Sequence, residues 1–148
     1  MKGVIMATVN IYLNFLGECE EAFLFYKSVF GGEFSYLGRF KDMPKQQEET
    51  SLPKEMENKI MHVGLPISKE TILMGSDTCE AWTKEYKRGN NFSISVNLEN
   101  KEEADRIFKL LSEDGEIQVP MADAFWGDYF GQLNDKYGIN WMVMCSSE

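Results

Sequence analysis

The chain has 148 residues, of which 43% are apolar, 26% charged and 13% aromatic, and its formal net charge is −9. That composition excludes a disordered tail and leaves one ordinary domain or two small fused modules. The acidic balance argues against a nucleic-acid partner, which needs a basic face to replace phosphate counterions, and against an anionic membrane surface; its plainest consequence is solubility.

The first stretch, MKGVIMATVNIYL, has one Lys and no long apolar run. Neither a signal peptide nor a membrane helix, which needs about 20 apolar residues, is expected. TVNIYLNF, residues 8–15, alternates Val9, Ile11, Leu13 and Phe15 against Asn10, Tyr12 and Asn14, the period of a strand. GECEEAFLFYKSVFGG then predicts a helix with Cys19, Ala22, Phe25, Tyr26, Val29 and Phe30 inward. Its acids Glu18, Glu20 and Glu21 suit the positive end of the helix dipole, and Gly31-Gly32 gives a left-handed stop. An extended segment follows from Glu33 to Phe40. Residues 41–59 hold two Pro, many charges and few apolar residues, the composition of a long exposed loop. Two strands come next, IMHVGLPI at 60–67 and TILMG at 71–75, joined by the turn Ser68-Lys69-Glu70. Pro66 predicts that the first of them ends early or lies at an edge.

Residues 78–90 are polar and irregular and predict a linker. After it the order repeats. Phe92–Leu98 alternates as a strand, and Lys101–Glu113 is a helix with Ala104, Ile107, Phe108 and Leu111 inward and Asp114-Gly115 as its stop. Strands are then expected at 116–121, 128–133 and 139–144. EEA at 20–22 matches EEA at 102–104, and GGEF at 31–34 resembles DGEI at 114–117. Strand, helix and three strands, twice over, is the mark of an internal repeat of one supersecondary unit. The fold class predicted is α+β, with two βαβββ modules at 8–77 and 91–145 in one domain. A four-stranded sheet with one helix leaves its other face bare, so two such curved sheets facing each other would enclose a cleft.

GECEEAFLFYKSVFGG, KIMHVGLPI and above all DAFWGDYFGQLNDKYGINWMV resemble the PhnB-like branch of the glyoxalase/bleomycin-resistance superfamily, the vicinal oxygen chelate group. This branch is labelled 3-demethylubiquinone-9 3-methyltransferase-like. The resemblance runs from about Val9 to Cys145. Its most specific part is the pattern of Phe125, Trp126, Gly127, Phe130, Gly131, Asp135, Tyr137, Gly138 and Trp141. It implies paired βαβββ modules and a homodimer. Its relatives use the cleft as a metal site or as a drug-binding pocket.

Two readings of residues 123–143 stay open. Asn134-Asp135-Lys136-Tyr137-Gly138 is good hairpin chemistry, and Gly127 and Gly131 mark bulges or close backbone approaches, so the segment is first a fold signature. Phe125, Trp126 and Trp141 would in addition line a pocket.

The resemblance implies metal ligands from an early and a late strand of each module. Such ligands are His and carboxylates, the donors that borderline and hard divalent ions need. Residues 8–15, 71–75, 92–98 and 139–145 contain none. The best alignment puts Ile11, Met74, Asn91 or Ser93, and Met142 at the ligand positions. No metal and no other cofactor is therefore expected. Methyl transfer is not expected either, because no Gly-rich turn follows a strand and opens a helix to hold S-adenosylmethionine.

His62 is the single histidine. Either it is a satisfied structural side chain, or it serves the cleft as a proton donor, acceptor or ligand anchor. Strand parity groups it with Ile60 and Gly64. Ser93, Ser95 and Asn97 form a polar stripe that faces either solvent or the cavity, and Tyr12 and Asn14 carry the same ambiguity. Ser76 and Asp77 follow a strand end, where loops often carry ligand contacts. The nine Met suit an adaptable interior or ordinary core filling. Cys19, Cys79 and Cys145 are widely spaced and odd in number, so no disulfide framework or zinc knuckle is expected, and a reducing cytoplasm fits.

The candidate site is thus His62 as a catalytic group, with Asn14, His62, Asp77, Ser93, Ser95, Phe125, Trp126 and Trp141 as ligand contacts. The leading expectation is a dimeric cytoplasmic protein that binds an unidentified small molecule without a metal. The rivals are a glyoxalase- or dioxygenase-type enzyme using His62 or a non-standard metal site, and a resistance protein that sequesters an antibiotic.

Overall fold

The computed structural model describes Gly3, residues 7–44 and residues 52–146. In chain order the elements are β1 (Ile11–Phe15), α1 (Cys19–Phe30), β2 (Tyr36–Arg39), β3 (Ile60–Pro66) and β4 (Ile72–Asp77), then β5 (Ile94–Asn97), α2 (Lys101–Leu111), β6 (Glu116–Asp123), β7 (Asp128–Asn134) and β8 (Asn140–Ser146). The first sheet has the strand order β1-β4-β3-β2 and the second β5-β8-β7-β6. These are the same topology twice, with the first and last strands parallel and the other neighbours antiparallel. The protein is α+β, two βαβββ modules. The chain divides into two compact units, one made of residues up to Lys27 and from Gly31 to Lys84, the other of Ser28–Phe30 and Glu85 onward.

In the first unit the core lies between α1 and one face of its sheet. Leu13, Phe15, Val63, Leu65 and Leu73 are buried from the strands, and Cys19, Ala22, Phe23, Tyr26 and Val29 from the helix. Each large side chain so buried contributes roughly 1.5–3 kcal/mol. Phe23 meets both Phe15 and Tyr26 edge-on, a favourable aromatic geometry. The helical stripe differs from expectation by one position: Phe23 is fully buried, whereas Phe25 is half-exposed. Residues 19, 22, 23 and 26 follow the 3.6-residue period more closely than a stripe through 25. Gly31 and Gly32 end α1 with φ of 81° and 82°, a conformation Gly adopts at little cost.

The region 41–59 is more structured than a bare loop. Short 3-10 turns cover Phe40–Asp42 and Lys54–Met56, and Met56 is buried. Its middle, 45–51, lies outside the described residues. Pro66 is the last residue of β3, which is an inner strand and not an edge.

In the second unit α2 buries Ala104, Ile107, Phe108 and Leu111, against a strand face that includes Ile94, Leu133, Trp141, Val143 and Cys145. Asn100 caps α2 by accepting from the Glu103 amide at 2.8 Å, satisfying one of the helix's orphan donors. After α2 it is Asp114 that takes the left-handed conformation, at φ 59°. Gly115 is needed for space, because a Cβ there would sit 2.4 Å from the Asn134 carbonyl oxygen. Among the described residues no helix is long and apolar enough to cross a membrane.

Candidate functional site

Strand register decides which side chains share the sheet face away from each helix. In the first unit Tyr12 pairs with Met74 and Asn14 with Ser76, while Gly64 pairs with both Met74 and Tyr36, and His62 pairs with Gly38. Side chains alternate along a strand, so Tyr12, Asn14, Tyr36, His62, Ile72, Met74 and Ser76 project from this one face. None of them is Asp, Glu, Lys or Arg.

Three of them form a row across the sheet. The Tyr12 hydroxyl lies 2.9 Å from His62 Nδ1. The Tyr12 ring is stacked near the imidazole at 5.5 Å between centroids, and the Tyr36 ring is tilted beside it at 5.7 Å. Tyr12 is 43% exposed and Tyr36 51%, so both rings present area to solvent while His62 is half-buried. Gly38 makes room for this row: a Cβ there would fall 2.6 Å from the Tyr36 hydroxyl oxygen and 2.9 Å from its ring. The parity grouping of His62 with Ile60 does not hold. A bulge in β3 opposite Gly38 and Arg39 adds a residue to the strand, and Ile60 is fully buried. One extra residue is enough to reverse the alternation.

Asp77 is placed differently from the expectation of a ligand contact. It is buried on the helix side of β4, where Oδ1 accepts from the Cys19 amide at 2.8 Å and Oδ2 from the Ile60 amide at 2.9 Å. It ties the start of α1 to the start of β3. Burial raises its pKa above the ordinary carboxylate value, and the Ile60 and Cys19 amides pull the other way without offsetting it. Burial likewise pushes the neighbouring Cys19 thiol up, with the Asp77 charge adding to the effect. Such a thiol is a core group and not a nucleophile. Glu20 receives a two-pronged grip from Arg39, at 2.9 and 2.7 Å, and that hydrogen bonding lowers its pKa.

In the second unit Ser95 pairs with Met142 and lies, with Asn97, on the face away from α2. Ser93 is half-buried just before β5. Phe125 and Trp126 sit in the turn between β6 and β7. Phe125 is 97% exposed. Trp126 donates from Nε1 to Asp128 Oδ2 at 3.1 Å and meets Phe130 edge-on. Trp141 is no pocket wall: it is fully buried. Its Nε1 donates to Asp135 Oδ2 at 2.8 Å, and Asp135 Oδ1 accepts from the Tyr137 and Ile139 amides. The buried Asp135 thus closes the β7–β8 hairpin on the indole, which explains the aromatic and Gly pattern of residues 123–143 as a fold signature at this end. Asn14 and His62 share one face in the first unit, and Asp77 and Trp141 belong to cores. Tyr36 was missed in the sequence because the long 41–59 segment hides which strand pairs with β3.

A pocket of about 520 Å³ opens elsewhere in the first unit, between Leu16–Glu18, Glu55, Met56, Lys59 and Thr78–Ala81. Its one cation, Lys59, already donates to the Gly17 carbonyl oxygen at 2.8 Å. It has volume but no ring or imidazole to orient a ligand. The Tyr12–His62–Tyr36 face has the aromatic surface and the polar anchor that this pocket lacks, and is the better candidate for that reason.

The family described as 3-demethylubiquinone-9 3-methyltransferase matches residues 7–144, and the chain belongs to it. A protein of known structure from Pseudomonas aeruginosa, PA1353, is 36% identical, with 95% of this chain and 98% of that chain covered and a TM-score of 0.81. The protein YjdN of Escherichia coli is 30% identical over 89% of this chain and 90% of its own length. The solved PhnB protein of Bacillus cereus is 27% identical, covers 95% of this chain and 100% of its own, and has a TM-score of 0.74. A solved glyoxalase/bleomycin resistance protein/dioxygenase from Nocardioides shares the fold at 17% identity, covering 99% of this chain and 87% of its own, with a TM-score of 0.61.

That fold raises the question of a metal, and the donor set answers it. Ile11 is not on the open face, because it pairs with Leu73 in the helix-side register; Tyr12 and Met74 occupy the facing pair instead, and Ser95 and Met142 the corresponding pair in the second unit. Neither pair supplies an imidazole or a carboxylate. Among the described residues no three His, Cys, Asp or Glu side chains lie together so as to hold a metal ion. These residues do not fit a divalent ion, and no step through one follows.

Proposed function

We propose that the protein binds a small molecule on the open face of the first sheet, with the rings of Tyr12 and Tyr36 as its apolar contacts and His62 as its polar anchor. The observation that supports this is the row itself: an imidazole flanked by two half-exposed phenol rings, with Nδ1 held by Tyr12 and no protein partner for Nε2 among the described residues. Apolar surface with few, well-placed polar groups is what ligand sites offer. Asn14 and Ser76, on the same face, are further polar contacts.

Native mass spectrometry of freshly purified protein tests the reading. Wild type should carry a bound small molecule that His62→Ala loses while keeping its far-UV circular dichroism. Equal retention by the variant would remove His62 as the anchor.

A homodimer is part of the same reading. The edge strand β6 is exposed along nearly its whole length, Ile117 and Val119 included, and Phe125 and Trp126 are exposed in the turn that follows it. Three unpaired thiols, two of them buried, support a reducing compartment such as the cytoplasm.

A further inference from the structure

We infer that Tyr12 is a positioning residue that holds His62 as the Nε2–H tautomer, so that this face offers a hydrogen-bond donor and selects uncharged, flat ligands carrying a carbonyl oxygen; the inference rests on the binding site proposed above.

The Tyr12 hydroxyl and His62 Nδ1 are 2.9 Å apart. In a neutral imidazole one nitrogen donates and the other accepts, and the hydrogen bond made by one sets the state of the other. A phenol is a good donor and a weak acceptor, because its oxygen lone pair is delocalised into the ring. The bare imidazole nitrogen is a strong acceptor. The favoured arrangement therefore runs from the Tyr12 O–H to Nδ1, which puts the ring proton on Nε2. Nε2 has no protein partner among the described residues, so its N–H is left for a ligand acceptor.

The rest of the face sets the ligand's charge and shape. No Asp, Glu, Lys or Arg side chain projects from it, by the register of its four strands. Apart from His62 itself an anion would find no basic side chain there, and a cation would find no carboxylate. Tyr12 and Tyr36 flank the donor with ring surface; Gly38 gives the Tyr36 ring room to lie over the strand, and Ser35 Oγ and the Ile72 side chain border Gly64. A planar molecule can lie along the rings and turn a carbonyl to Nε2. A carboxylate would gain the same hydrogen bond but lose more on leaving water, since a buried ion without a partner is costly.

His62 is the single histidine of the chain, so imidazole signals in a nitrogen-15 NMR correlation spectrum belong to it alone. At alkaline pH, once the imidazole nitrogen shifts no longer change with pH, the ligand-free wild type should show the Nε2–H pattern. Tyr12→Phe should shift it toward a tautomer mixture. A wild-type Nδ1–H pattern, or no change in Tyr12→Phe with its fold intact, overturns the positioning role; this readout needs no ligand. Benzamide, benzoate and benzylammonium share a ring and differ in charge, and are then titrated at millimolar concentration. Benzamide should perturb the Nε2 signal most, and Tyr12→Phe should weaken its binding roughly threefold to tenfold. Preference for benzoate or benzylammonium overturns the ligand class while leaving the face a binding site. Binding of none of the three, with no bound molecule in native mass spectrometry, overturns the proposed site itself.

Discussion

Tyr129 and Asp105 show how one hydrogen bond sets a titration. The Tyr129 hydroxyl donates to Asp105 Oδ1 at 2.6 Å, and this bond, followed by burial and the negative charges of Asp105 and Asp123, raises the phenol from its ordinary 10.0 to about 12. The folded state therefore holds this proton more tightly than the unfolded chain. The stabilisation is fully present below pH 10 and is lost as pH rises through about 12. A spectrophotometric titration should resolve one tyrosine near 12, and Asp105→Asn should bring it back toward 10. At the same scale, the sequence made His62 conspicuous as the lone histidine and made Asp77 and Trp141 look like ligand contacts. Both of the latter sit on the correct strands, but on the helix side. Residue type shows what a side chain can do, and its neighbours decide whether it is free to do it. Asp77 is occupied by the amides of Cys19 and Ile60, and Trp141 by Asp135.

The elements were legible wherever a period was strong. α2 has its four inward residues at the expected positions, because a narrow apolar stripe on a charged helix has one way to be buried. The bulge in β3 was not legible, because nothing local distinguishes an extra residue from a regular strand until the partner is known. Two glycines separate fold from site at this level. Gly115→Ala would press a Cβ against the Asn134 carbonyl and the Asp135 backbone. Backbone cannot step aside as a side chain can, so the cost should be about 1–3 kcal/mol, read as a lower urea midpoint. Gly38→Ala meets only the outer part of the half-exposed Tyr36 side chain. It should leave the midpoint within about 0.5 kcal/mol of wild type but displace Tyr36, weakening whatever ligand the wild type retains. A large loss of stability in Gly38→Ala would show that Tyr36 is fixed by the fold and is not an adjustable wall of the site.

β6 is an edge strand with exposed Ile117 and Val119, and an exposed apolar edge invites a partner. Pro120 and two register shifts blunt it for backbone pairing, so its side chains and those of Phe125 and Trp126 are the expected contacts. Sedimentation should give twice the 17.0 kDa chain mass, and the double variant Ile117→Glu, Val119→Lys should give a monomer. A wild type that sediments as a monomer at every concentration would remove the homodimer from the reading. The doubled module was readable at this scale because it is a matter of order: EEA occurs in the first turns of both helices, each helix ends in a Gly-bearing stop, and three strands follow each.

Sequence alone determined the α+β class, the repeat, the family resemblance and the shortage of metal donors on the strands that would supply them. These depend on composition, local period and motif spacing, which a chain carries before it folds. Only the tertiary structure decided that Tyr12, and not Ile11, faces Met74's side of the sheet, that Tyr36 stands beside His62, and that Asp77 and Asp135 are clamps inside their units. The placements of Tyr12, Tyr36 and Asp77 depend on register between strands distant in the chain, from β1 to β4 and from β2 to β3, and that of Asp135 on the closing of the β7–β8 hairpin. A shift of one residue moves every side chain to the opposite face, and that choice is made by packing against α1 and not by any residue near His62 in sequence.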